Sequence, residues 1–185
     1  VRTIAVTAGY ICPAPRADLF RSIDAANVDL KSFREPFYEH VTGSHLAPVL
    51  DTLTYLKGAG VWLEITNLLI PGLNDSDAEI GDLTRWIGEH LGFEVPLHFS
   101  AFHPSFRMAD IPPTPKATLL RAVRIARRNG LQHVYVGNVE DAKDESSWCA
   151  GCGELLIGRK GYEITEWGLV GDGRGGARDD RHDRA

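Results

Sequence analysis

Apolar and polar positions along the chain change period repeatedly, and the changes mark the elements. Residues 2–8 form a short β-rich run closed by Gly9, and Pro13 and Pro15 open a helix with Leu19, Phe20 and Ile23 on its apolar side. Residues 26–31 read as a second strand with Val28 and Leu30 inward, and a helical turn over 34–42 follows. Leu46, Val49, Leu50, Leu53 and Leu56 recur at helical spacing, and Gly58 and Gly60 close that helix. Residues 61–70 are a third strand stopped by Pro71-Gly72. Ser76 and Glu79 form a capping-box pattern ahead of the stripe Ile80, Leu83, Ile87 and Leu91, with Gly92 just past its end. Residues 95–102 are a fourth strand. Thr114 and Pro115 read as N-cap and first-turn residue of a helix carrying Leu119, Leu120, Val123 and Ala126. Residues 132–137 give a fifth strand.

Strands alternating with helices, with no hairpin signal among them, predict an α/β fold with a parallel sheet. Such sheets are covered on both faces or closed into a barrel. An eight-stranded barrel takes about 250 residues, so 185 point to a partial barrel or an open sheet. After Asn138 the pattern changes. Residues 140–147 are acidic and polar, a linker by composition. Cys149-Ala-Gly-Cys152-Gly then leads into a predicted hairpin, 154–157 with 162–167, turning at 158–161. Residues 171–185 are almost all Gly, Arg, Asp and Ala, a composition that predicts disorder. The expected organisation is therefore a barrel segment at 1–139, a linker with a ribbon-like hairpin at 140–170, and a tail at 171–185.

Hydrophobic residues at 43% and charged residues at 24% describe a globular protein. A net charge of −5 argues against a dedicated nucleic-acid binder, and Arg121, Arg124, Arg127 and Arg128 read as one solvated helix face. No apolar run reaches the ~18 residues that span a bilayer, and no signal region opens the chain. Cytoplasm is the expected compartment, with no membrane partner. The chain begins at Val1 and its single methionine is Met108, which suggests a trimmed or partial chain. Strand 2–8 would then expose an unpaired edge.

Three cysteines make no disulfide framework. Cys12 stands alone between Ile11 and Pro13 and reads as a small, partly buried loop residue. Cys149 and Cys152 are half of a zinc-ribbon pattern; a closed zinc site takes four ligands. Two thiolates alone leave three alternatives: a weak open site, free thiols, or a redox pair.

Ligands meet parallel α/β folds at the C-terminal ends of the strands. Those ends offer Thr7 and Ala8, Asp29 and Lys31, Glu64 with Thr66 and Asn67, Ser100 and His103, and Asn138. Asp29 and Lys31, two apart, are expected on one face. They are either a ligand grip or an ordinary salt bridge. His103 at a loop and His98 within a strand each have an ordinary alternative, hydrogen bonding or packing. Trp148 reads as a packing residue. No Gly-x-Gly-x-x-Gly and no nucleophile–base pair of telling spacing occurs, so the rim is expected to bind a ligand whose reactivity comes from elsewhere.

Six stretches in order resemble radical S-adenosylmethionine (SAM) enzymes related to the pyruvate formate-lyase-activating enzyme, and within them the AmmeMemoRadiSam system enzymes. They are Val6-Thr-Ala-Gly-Tyr10, Asp24-Ala-Ala-Asn-Val-Asp-Leu-Lys31, Leu63-Glu-Ile-Thr-Asn-Leu-Leu-Ile-Pro-Gly-Leu-Asn-Asp75, Pro96-Leu-His-Phe-Ser-Ala-Phe-His-Pro104, Tyr135-Val-Gly-Asn138 and Trp148-Cys-Ala-Gly-Cys-Gly153. The resemblance implies a partial (βα)6 TIM-like barrel lacking its first units, with a small C-terminal Cys-x-x-Cys β-hairpin. It implies S-adenosylmethionine held by Asp29, Leu30, Lys31 and His103; metal at Cys149 and Cys152, with zinc the candidate ion, is the expectation from the ribbon pattern itself. It also implies a [4Fe-4S] cluster whose ligands lie outside this chain, and a substrate or protein partner of unknown identity. The family's Cys-x-x-x-Cys-x-x-Cys and Gly-Gly-Glu-type elements are not in the sequence. Ala8 stands where relatives often have Asn, and Glu64 where the activating enzymes have Arg. Gly171-Asp-Gly-Arg-Gly-Gly-Ala stands where relatives carry a second Cys pair. The expected function is reductive cleavage of S-adenosylmethionine by the longer protein, this portion alone being inactive. The alternative is a non-catalytic metal-ribbon or partner-binding module on a degenerate barrel.

Overall fold

The computed structural model describes residues 1–139 and 142–169, and the expected tail at 171–185 lies outside the described residues. The chain divides into two compact units, residues 1–139 and residues from 140 onward.

In the first unit the strands are β1 (Ile4–Thr7), β2 (Ala25–Asp29), β3 (Trp62–Leu69), β4 (Leu97–Ala101) and β5 (Val134–Gly137). The helices between them are α1 (Pro13–Phe20), α2 (Glu35–Phe37) running into a π-helical turn at Tyr38–Thr42, α3 (Leu46–Gly58), α4 (Asp77–Leu91) and α5 (Lys116–Arg128). All neighbouring strand pairs are parallel, in the order β1-β2-β3-β4-β5. Sequential order with helical crossovers is the arrangement that the wall of a βα barrel uses. No ladder joins β5 to β1 among the described residues, so the wall is open.

Alternation along the strands gives the sheet two different faces. One carries Ala26, Val28, Leu63, Ile65, Leu69, Leu97, Phe99, Val134 and Val136, all buried in one core with Leu53 and Leu56 of α3, Ile80, Leu83 and Ile87 of α4, and Leu119 and Val123 of α5. The other carries Asn27, Asp29, Glu64, Thr66, His98, Ser100 and Tyr135, all half-buried. Parallel sheets usually bury apolar residues on both sides. A polar second face suits a wall that looks into a cavity. Gly9, just after β1, has φ +68°, and a Cβ there would meet Val28 Cγ1 at 2.8 Å. Only glycine lets the chain turn so close to β2.

Several boundaries differ from those expected. β2 ends at Asp29, so Lys31 lies in the loop beyond. Thr114 is not the N-cap of α5; Pro115 takes that place without a side-chain cap. The Thr114 hydroxyl instead donates to the Leu69 carbonyl at 2.6 Å and accepts from the Phe102 amide at 2.9 Å, bridging the ends of β3 and β4. Ser76 caps α4 as expected, accepting from the Glu79 amide at 3.3 Å, but the Glu79 carboxylate does not return to the cap. Cys12, expected to be partly buried, is exposed.

The second unit holds α6 (Ala142–Glu145) and an antiparallel sheet of β6 (Ser147–Trp148), β7 (Leu155–Lys160) and β8 (Glu163–Trp167). β7 runs through Gly158 to Lys160, so the turn falls at Gly161-Tyr162, later than the sequence suggests. The segment read as an acidic linker is built into this unit. Ser146 accepts from the Arg159 amide at 2.9 Å, and the Glu145 carboxylate accepts from the Gly161 amide at 2.7 Å.

Candidate functional site

The C-terminal rim of the first unit is organised by the loop after β2. Lys31 Nζ donates to Asp29 Oδ2 at 2.8 Å, with side chains 37% and 35% exposed. An ammonium has three donors and a carboxylate two acceptor oxygens. One contact therefore leaves both groups with hydrogen-bonding capacity to spare.

The backbone between them is fixed. Leu30 is fully buried; its amide donates to the Thr66 carbonyl at 3.0 Å and its carbonyl accepts from Asn67 Nδ2 at 2.7 Å. Leu30 thus places no side-chain atom on the rim and serves as the anchor between two charged neighbours. The Lys31 amide donates to the Tyr38 hydroxyl at 3.1 Å, and its carbonyl accepts from Asn74 Nδ2 at 2.6 Å. Burial pushes the Tyr38 phenol up to about 12, against the lowering effect of the backbone amides of Lys31 and Ser32.

His103 stands two residues past β4, exposed, its Nε2 3.3 Å from the Asn138 carbonyl oxygen. β4 is two strand spacings from β2, about 10 Å across the sheet. Asn138 adopts φ +60° and donates Nδ2–H to the Ala101 carbonyl at 3.1 Å, tying the end of β5 to that of β4.

Two residues read as rim groups sit elsewhere. Glu64 is the third of the eight residues of β3, in register with Asn27 and below the rim. Its Oε2 lies 2.9 Å from His98 Nε2, and His98 stacks on Tyr135 with ring centroids 5.0 Å apart. Asn67 belongs to the buried phase of β3 and points to the helix side, where it holds Leu30. The sheet face above Glu64 carries Thr66, whose hydroxyl donates to Asn27 Oδ1 at 2.8 Å.

Glu35, Glu39 and His45 bring three potential donor atoms within 4.8 Å of one another. Glu35 is already used: its Oε2 accepts from the Leu46 amide at 2.9 Å, capping α3, and its Oε1 meets His45 Nδ1 at 2.6 Å. The Leu46 amide, with His45, holds its carboxyl below the usual range. Two cavities, of about 490 and 230 Å³, open at the other end of the sheet, beside Asp24, Gly60 and Val61 and beside Trp62, Glu94 and Pro96. Neither adjoins the rim.

In the second unit, Cys149 and Cys152 bracket a tight turn in which the Gly153 amide donates to the Cys149 carbonyl at 2.9 Å. The backbone amides of Cys152 and Gly151 aim at the Cys149 thiol and hold it below its usual value. For Cys152 the Glu154 amide pulls the other way, but the neighbouring thiol, desolvation and the Glu154 carboxylate leave it raised.

No family model matches the chain. An uncharacterized protein of Methanocaldococcus jannaschii is 41% identical over 156 residues, 84% of this chain and 46% of that protein. The benzylsuccinate synthase activating enzyme of Thauera aromatica is 27% identical over 130 residues, 63% of this chain and 39% of that enzyme. The chain spans less than half the length of these curated relatives. A domain of a pyruvate-formate lyase-activating enzyme from Bacteroides vulgatus superposes with a TM-score of 0.63 at 16% identity, covering 72% of this chain and 80% of that one. A radical SAM methyltransferase from Sphaerobacter thermophilus gives 0.57 at 20% identity, covering 82% and 44%. The fold is shared with radical SAM structures. At these identities the structural likeness speaks for the fold; function rests on the site. Among the described residues no helix is long and apolar enough to cross a membrane.

Proposed function

We propose that this chain is the C-terminal portion of a radical SAM enzyme and that its rim residues Asp29, Lys31 and His103, with Leu30 as buried anchor, hold S-adenosylmethionine. The observation that carries this is the Asp29–Lys31 pair, 2.8 Å apart at the end of β2 on an immobilised backbone. S-adenosylmethionine has a carboxylate, an ammonium and a ribose diol. The spare donors of Lys31 suit the first, and the free oxygen of Asp29 suits either of the others. The likeness to an activating enzyme in sequence and to radical SAM structures in fold points the same way. Within that family, the six stretches quoted above favour the AmmeMemoRadiSam branch.

Asp29 and Lys31 would hold S-adenosylmethionine at this rim, and with one electron from a [4Fe-4S] cluster held outside this chain that ligand would supply a 5′-deoxyadenosyl radical for hydrogen abstraction, methionine being released. The residues present do not fit that cluster. Iron–sulfur clusters are held by sets of thiolates, and this chain offers the lone Cys12 and one Cys-x-x-Cys. Its ligands are proposed to lie outside the chain. What these residues themselves do is bind and orient. Asp29 keeps the Lys31 ammonium aimed across the rim, and Asn138 fixes the loop beside His103. Cys149 and Cys152 are proposed as two of the four ligands of a zinc site, in keeping with amides that stabilise the Cys149 thiolate. Residues 1–139 would form the barrel wall, 140–170 the linker and ribbon, and 171–185 a tail.

That cysteine pair also favours the second reading, a metal-ribbon or partner-binding module without catalysis. The reading frame upstream of Val1 separates the two. A Cys-x-x-x-Cys-x-x-Cys encoded there, and 5′-deoxyadenosine formed by the anaerobically reduced gene product, support the enzyme. Lys31→Ala in that product is expected to reduce 5′-deoxyadenosine formation at low S-adenosylmethionine. An immediate start codon at Val1, or full activity in the variant, would overturn it.

A further inference from the structure

We propose that Glu79 is a positioning residue for Lys31, acting through the loop after β2 together with Asn74 and Tyr38. The inference rests on the assignment of Asp29 and Lys31 to the S-adenosylmethionine rim.

Glu79 lies in the first turn of α4 and is 4% exposed. A glutamate at this place in a capping box ordinarily reaches back to the N-cap amide. Here it spans 46 and 47 positions of sequence instead. Its Oε1 accepts from the Phe33 amide at 2.9 Å and from the hydroxyl of Ser32, which is itself fully buried. Burying a carboxylate is costly, and an apolar side chain would seal the same space more cheaply. Two donors from a single loop, and the favourable field of a helix N-terminus, offset that cost. The group is spent on fixing Ser32 and Phe33, which directly follow Lys31.

The same loop is held from two other sides. Asn74, in the turn after β3, donates to the carbonyls of Lys31 (2.6 Å) and Leu68 (2.9 Å) and accepts from the Ile70 amide at 2.7 Å. Tyr38, in the π-helical turn, accepts from the Lys31 amide at 3.1 Å. Both backbone groups of Lys31 are thus bound by side chains rather than by the sheet. Asn74 thus ties the rim loops of β2 and β3 to each other. Lys31 keeps only its own side-chain torsions to lose when a ligand carboxylate arrives, which lowers the ordering cost of binding.

The test uses the ¹⁵N-labelled chain with S-adenosylmethionine as probe, comparing wild type, Glu79→Ala, Glu79→Gln, Asn74→Ala and Lys31→Ala. Glu79→Ala is expected to speed amide exchange at Lys31 and Phe33 roughly tenfold and to weaken S-adenosylmethionine binding by a similar factor. Exchange at Ile87 in the middle of α4 should be unchanged. Glu79→Gln keeps an oxygen for the Phe33 amide and should recover most of both losses, a rescue that a general packing defect would not show. If Glu79→Ala does not fold, Asn74→Ala carries the same expectation for the Lys31 loop. A loosened loop with unaltered affinity, in a protein where Lys31→Ala abolishes binding, overturns the positioning role and leaves the rim assignment standing. Unaltered affinity in Lys31→Ala overturns both.

Discussion

Glu64 Oε2 and His98 Nε2 meet at 2.9 Å across the β3–β4 pair, on the polar face of the sheet. The carboxylate accepts, so a neutral imidazole in this pair carries its proton on Nε2. Long-range ¹H–¹⁵N spectra at alkaline pH should show the Nε2–H tautomer. In Glu64→Ala that preference should fall away at a stability cost of at most about 1 kcal/mol, since both groups are about a third exposed. A dominant Nδ1–H form in the wild type would contradict the pairing.

Tyr38 gives the first unit an alkaline signature. The folded phenol keeps its proton up to about 12, whereas an ordinary one loses it near 10.0. A raised folded value means that the stabilising contribution is whole below pH 10 and is lost as pH rises through 12. Absorbance titration at alkaline pH should show a phenol ionising at about 12, and Tyr38→Phe should remove that step. A step that survives in Tyr38→Phe, or none in the wild type, would contradict it.

Thr114 is expected to matter more than its loop position suggests. Valine matches its shape but leaves the Phe102 amide and Leu69 carbonyl without their partner. Each buried orphan costs about 1–3 kcal/mol, so urea unfolding of Thr114→Val should show a loss of at least that size. A loss under a few tenths would mean that water replaces the hydroxyl.

Much of this was readable from the amino acids. Ile80, Leu83, Ile87 and Leu91 at helical spacing gave α4, and the order of β1 to β5 followed from the alternation of periods. His98 was expected to pack or pair within its strand, and it does both. Asn67 was misplaced on the rim, although strict alternation with Leu63, Ile65 and Leu69 puts it on the buried face. Glu79 and Thr114 were read locally, as cap residues, because nothing in a linear pattern reports partners 45 or more positions away. The acidic stretch before Trp148 was read as linker because its contacts, with Arg159 and Gly161, are also distant in sequence.

Cluster chemistry gives a further check. With cysteines only at positions 12, 149 and 152, anaerobic reconstitution of these 185 residues with iron and sulfide should give no [4Fe-4S] absorbance. A stable four-iron cluster on this chain would contradict the placement of its ligands elsewhere.

The most direct measurement is a titration of S-adenosylmethionine into the ¹⁵N-labelled chain, read as amide shift changes residue by residue. Changes should concentrate at Asp29–Lys31 and around His103 and vanish in Lys31→Ala. Changes confined to the opposite end of the sheet, near Asp24 and Val61, or none at saturating ligand, would contradict the assignment of this rim.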